Sequence, residues 1–208
     1  MENIIIPSLI GLLGVVIGTL ITSINNQRIK FKETKFRIIE KVVDKRIIDH
    51  EDILAIIKNI RTVVPTNQKD TESNIITYPK AMESVENLAT FSDEMFFIIH
   101  HNSHWLNTNL ERELGFFQDY MVTLNMRIKG QNDSNVKIIG LIVKQDFIDL
   151  ASNLENLTFE FFRKDIYKLK INKHNEWHKY PKEITKKRMN ETILFKEFKE
   201  IDKIINSA

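Results

Sequence analysis

The chain has no cysteine, and of its 208 residues only six are glycine, four are proline and two are tryptophan. Without cysteine there is no disulfide framework, no thiolate nucleophile and no Cys-based metal site. The lack of thiols also fits a reducing compartment. So few glycines and prolines exclude a Pro/Gly linker, a collagen-like repeat and the turn-rich pattern of a many-stranded β protein. The chain contains no phosphate-cradling or dinucleotide-binding signature (GxxxxGK[ST], GxGxxG) and no GxSxG nucleophile elbow. The pattern therefore favours binding over catalysis.

What is there begins at once. From Ile4 to Ile24 the chain reads IIIPSLIGLLGVVIGTLITSI, with thirteen Ile, Leu or Val residues and no charge. At about 1.5 Å of helix per residue this run just crosses a hydrocarbon core of about 30 Å. Pro7 falls in the first turn, where its missing N–H costs little. A secretory signal would need a basic start, a shorter apolar core and a small-x-small cleavage site, none of which is present. The expectation is a single-span anchor (residues 1–27) on a body of residues 28–208. Arg28, Lys30, Lys32, Lys35 and Arg37 follow the span against a lone Glu33, and Glu2 precedes it. The positive-inside bias therefore expects a cell-membrane protein with its N-terminus outside and its C-terminal domain in the cytoplasm. Gly11, Gly14, Gly18 and Thr22 recur at spacings of three and four, a small-residue face that suits close helix packing and homo-oligomers, although glycine is also simply common in spanning helices.

The body reads as all-α, an antiparallel bundle of four to five long helices. Phe36, Ile39, Val43, Arg46, His50, Ile53, Ile57, Ile60 and Val64 step by threes and fours over about four heptads. Arg46 and His50 are the polar members of that seam, placed to fix a register or to face solvent. A polar loop is expected over Thr66–Thr77. Further helices carry Met82 to Ile99, Leu106 to Ile128, Ile139 to Phe161 and, from Pro181, Ile184 to Ile205, with Gly130 closing the third helix. Such Leu, Ile and Phe stripes are ordinarily core.

Charge is blocked. Residues 70–119 hold nine acids against Lys80 and Arg112, and residues 163–188 hold ten Lys or Arg against three acids. Lys164, Lys168, Lys170, Lys173, Lys179, Lys186, Lys187 and Arg188 are interleaved with Trp177 and Tyr180. Three partners suit that mixture: anionic lipid at a membrane surface, single-stranded nucleic acid with bases stacked on the aromatics, and the acidic helices of the same bundle. His100 with His104, and His174 with His178, are spaced one helical turn apart, so a metal held by them, with Glu111 or Glu176, would make a metal-dependent hydrolase the enzymatic alternative. The same histidines lie beside tryptophans at expected helix ends, where imidazole commonly packs and caps carbonyls. No cofactor is implied.

The function expected is a membrane-anchored interaction module whose partners are the bilayer and a protein partner or second copy. The layout of short N-terminus, one span and helical body, in an Ile-, Lys- and Asn-rich chain, also resembles membrane-anchored phage-exclusion or abortive-infection proteins. That resemblance implies nucleic acid or a phage component as target.

Overall fold

A computed structural model describes residues 2–69, 75–102, 105–165 and 179–206; of residues 2–10, 12, 67–69 and 165 it describes the backbone alone. The chain divides into two units, Met1–Asp44 and Lys45–Ala208. One helix, α1 (Glu2–Arg61), runs through the division. Apart from Pro7 in its first turn it has no proline; glycine is the only other helix breaker in the apolar run, and the basic run after it has neither. Among the described residues no helix is long and apolar enough to cross a membrane. The side chains of residues 4–10 and 12, part of the expected span, lie outside the described ones.

In the first unit every described side chain from Gly11 to Ile38 is exposed. Its hydroxyls turn inward: Thr22 Oγ1 donates to the Gly18 carbonyl at 2.8 Å and Thr34 Oγ1 to that of Lys30 at 2.9 Å. A Cβ placed on Gly11, Gly14 or Gly18 would meet no atom of the described residues within 4 Å.

The second unit is a helical bundle, as its apolar periodicity predicts. After α1 come β1 (Val63–Lys69), β2 (Ile75–Pro79), a 3-10 turn (Lys80–Met82), α2 (Val85–Asn102), α3 (Thr108–Ile128), α4 (Asp133–Glu160), a π turn (Phe161–Asp165), α5 (Lys182–Glu191), α6 (Ile193–Lys196) and α7 (Phe198–Asn206). Asn107 and Asn132 cap α3 and α4, each side-chain oxygen accepting a backbone N–H at 2.9 Å. Gly130, at φ 83°, supplies the left-handed residue that turns the chain between them. Ile53, Ile57, Ile60, Leu110, Leu114, Phe117, Leu124, Ile139, Val143, Phe147 and Leu154 all belong to one buried core.

Two expectations are corrected. The segment expected as a polar loop is an antiparallel hairpin, with Val63 opposite Pro79, Val64 opposite Tyr78 and Pro65 opposite Thr77, and an irregularity before Lys69 pairs with Ile75. Alternation is too brief here to stand out in the sequence, and tertiary support makes the difference: Lys144 Nζ of α4 donates to Thr77 Oγ1 at 2.6 Å and Tyr78 is buried. The helix expected from Pro181 to Ile205 is three short ones, broken at Thr192 (φ −71°, ψ 154°) and Glu197 (φ −93°, ψ 21°). The reason for the first break lies on α4 and is given below.

Candidate functional site

Among the described residues, three groups of polar side chains in the second unit and one exposed helix in the first bear on chemistry or recognition. The basic segment supplies the first group. Arg188 Nη1 donates to Glu113 Oε2 at 2.7 Å, Arg188 Nη2 donates to Glu113 Oε1, and Tyr180 Oη donates to Oε2 at 3.0 Å. The guanidinium lies 4.0 Å over the Phe116 ring and 4.9 Å from that of Tyr180. Glu113 is 3% exposed, so this is a forked, largely desolvated pair between α5 and α3. Burial, then the neighbouring Glu113 charge and hydrogen bond, push the Tyr180 phenol up. Burial by itself would lower the Arg188 pKa; its hydrogen bonds and charge interaction with Glu113 and its contacts with Tyr180 outweigh that and raise it. Lys179 adds a looser contact at 3.7 Å to Asp119.

These residues therefore meet the acidic third helix of their own bundle. Lys164 pairs with Glu160 on the preceding turn. Lys186 and Lys187 are exposed on α5. Lys168, Lys170, Lys173 and Trp177 lie outside the described residues, as do His104, His174 and His178. His100 is exposed near the end of α2, and among the described residues no group of three or more His, Cys, Asp or Glu could hold a metal ion.

The second group is built on α1. His50 is fully buried, its ring stacked on Phe161 at 3.5 Å. Its Nδ1 lies 2.7 Å from the Arg46 carbonyl, which can only accept, so Nδ1 carries the proton and Nε2 is left as a buried lone pair without a partner. Burial foremost, with the Arg46 charge, lowers its pKa to about 4 against a smaller rise from the Arg46 carbonyl. Arg46 lies 4.6 Å over the same Phe161 ring and donates through Nε to the Trp105 carbonyl at 3.3 Å. Asp49, also fully buried, faces the Lys45 ammonium at 2.7 Å, and Asn102 donates to Asp52 at 3.1 Å. Arg46 and His50 thus join α1 to the ends of α2 and α4. Of their two sequence-level alternatives, solvent exposure does not hold.

The third group escaped sequence reasoning. Asp146 of α4, 5% exposed, accepts from Tyr120 Oη at 3.0 Å and from the backbone N–H groups of Ile193 at 2.7 Å and Leu194 at 2.9 Å. It satisfies the free donors that open α6, which is why the C-terminal helix breaks at Thr192. Burial raises the Asp146 carboxyl, with the two backbone hydrogen bonds and that of Tyr120 opposing and the Asp149 charge adding. An aspartate within an amphipathic helix looks like any solvated acid in sequence, so no signal pointed to it.

An open groove of about 360 Å³ lies beside Asn59, Thr62, Lys80, Asn87, Thr90 and Glu94. No protein family, no curated protein and no solved structure matches the chain. The three polar groups hold elements together; the first unit, among its described residues, presents a run of exposed apolar side chains. There Leu13, Val15, Val16, Ile17, Leu20, Ile21 and Ile24 are each between 46% and 66% exposed; all but Val15 lie on one broad side of the helix, and Gly11, Gly14, Gly18 and Thr22 lie on the other.

Proposed function

We propose that this chain is a membrane-anchored helical interaction module, held by one span over Ile4–Ile24, with its second unit acting by binding at the cytoplasmic face. The observation that carries the reading is the exposed apolar side of this uncharged stretch, formed by Leu13, Val16, Ile17, Leu20, Ile21 and Ile24, with only glycine, threonine and Val15 opposite it. Apolar surface of this extent is stable in a core, at an interface or in lipid, and the described residues of the first unit leave it exposed. The back-bonded hydroxyls of Thr22 and Thr19 leave little polar surface to desolvate. Arg28 to Arg37, directly after the run, supply the positive flank that would remain in the cytoplasm. Lys186 and Lys187, exposed on α5 beside Lys182, are placed to meet an anionic surface.

Fractionation tests the anchor. The full chain should stay with membranes through alkaline carbonate extraction and be released by detergent, and Leu13→Lys with Ile17→Lys should move it to the soluble fraction. Carbonate release of the parent chain would overturn the reading. Because the chain lacks cysteine, Glu2→Cys and Ala208→Cys each introduce one thiol. An impermeant maleimide should label the first in intact cells and the second only after permeabilisation.

A further inference from the structure

We propose that residues 28–44 of α1 pair, parallel and in register, with the same segment of a second copy of this chain, through a seam of Ile29, Phe36, Ile39 and Val43. This names the partner left open above. It rests on residues outside the apolar run, so it does not depend on the anchor reading.

The segment is continuous helix, and heptad positions can be assigned along it. Ile29, Phe36 and Val43 fall at a, and Ile39 at d, one side of the helix. Ile29 is 53% and Phe36 69% exposed, while Ile39 and Val43 are half-buried. Farther along the same register Arg46, His50 and Ile53 are buried within the second unit. The seam thus passes from buried at Arg46, through half-buried Val43 and Ile39, to exposed at Phe36 and Ile29, and this stretch retains the spacing of a helix interface.

Charge selects the occupant and its direction. In this register Arg28 and Lys35 fall at g, and Glu33 and Glu40 at e. In a parallel pair each g residue meets the e residue five positions on in the other copy. That sets Arg28 against Glu33 and Lys35 against Glu40, four attractive contacts across a two-fold pair. An antiparallel pair would set g against g and e against e, like charges in every case. The opposite face, with Phe31 and Ile38 exposed, is interrupted by Arg28 and Lys35 and makes no comparable seam. Lys32 at d weakens the pairing, but its stem can lie along the seam with the ammonium in water. Toward the N-terminus the register continues through Thr22, Gly18 and Gly11, which would let two copies approach without changing direction.

The cysteine-free full chain makes the test direct. Single replacements Ile29→Cys, Phe36→Cys and Val43→Cys should each oxidise to a disulfide-linked dimer, since in-register parallel helices bring a against a. Lys30→Cys, Thr34→Cys and Lys41→Cys, at b and f, should remain monomeric. Charge reversal provides a second, non-covalent reading: Glu33→Lys with Glu40→Lys in one chain, and Arg28→Glu with Lys35→Glu in another, should each lose self-association. Mixing the two should restore it as a heterodimer. Disulfides that are absent, equal at all positions or strongest at Phe31→Cys and Ile38→Cys would overturn the proposal. So would failure of the mixture to associate. Carbonate fractionation of the same variants reads the anchor separately, so either reading can fail alone.

Discussion

Residues that look alike in the sequence do different work according to what packs on them. His50 is neutral in the fold because its ring is buried against Phe161 with Arg46 nearby. Its folded pKa of about 4 lies below the unfolded value of 6.5, so between these values the unfolded chain takes a proton that the folded chain refuses. Its contribution is complete above pH 6.5 and is lost as pH falls to about 4, a span worth about 3 kcal/mol. Urea unfolding of the His50→Leu chain at pH 7 and pH 4.5 should therefore show a smaller acid loss of stability than the parent; equal losses would place the acid sensitivity elsewhere. Glu113 and Arg188 form the other decisive pair. Glu113→Ala leaves the guanidinium half-buried without its partner and should cost about 2–3 kcal/mol, somewhat below a fully buried pair because Arg188 retains some solvent. Glu113→Leu with Arg188→Met should recover most of that loss. Unfolding curves of the three chains decide it.

At the level of elements, the close approach of the 3-10 turn to α4 rests on one glycine. A Cβ at Gly140 would stand 2.8 Å from Met82 Cβ, and Met82 is fully buried. Gly140→Ala should thus cost about 1–3 kcal/mol by overpacking, visible as a lowered melting temperature. The docking of α6 and α7 rests on Asp146. Asp146→Ala strips the acceptor from two backbone donors and Tyr120, and should speed amide exchange at Ile193 and Leu194 before the rest of the bundle opens. Exchange unchanged there would show that apolar packing of Leu194 and Ile201 alone holds the segment. The hairpin and the broken C-terminal helix share a lesson. Both depend on contacts with α4 from residues some 50 to 70 positions away, as the Lys144–Thr77 and Asp146–Ile193 hydrogen bonds show. Local periodicity carries no record of such contacts.

For the whole molecule, the two units pose separate questions. The second has a buried core; the described side chains of the first present exposed apolar surface. Removing the charge of the exposed lysines tests whether the domain also meets an anionic surface: Lys186→Gln with Lys187→Gln should weaken co-sedimentation of the full chain with phosphatidylserine vesicles, more at low salt than at high, and leave the melting temperature unchanged. Arg188 is unsuited to that role because Glu113 already holds it. What the sequence by itself determined is what repeats at short range: the apolar run of Ile4–Ile24, the basic flank after it, the helical stripes from Ile53 through Leu154 and the turn at Gly130. A helix is closed by bonds four residues apart and its faces are set by a 3.6-residue period, so neighbours suffice to write it. Only the tertiary structure decided that His50 is buried, that Arg188 turns inward to Glu113, that Asp146 breaks the last helix and that a polar stretch pairs as a hairpin. Each of those depends on a partner remote in sequence, and the free energy of a polar group depends on whether that partner or water meets it.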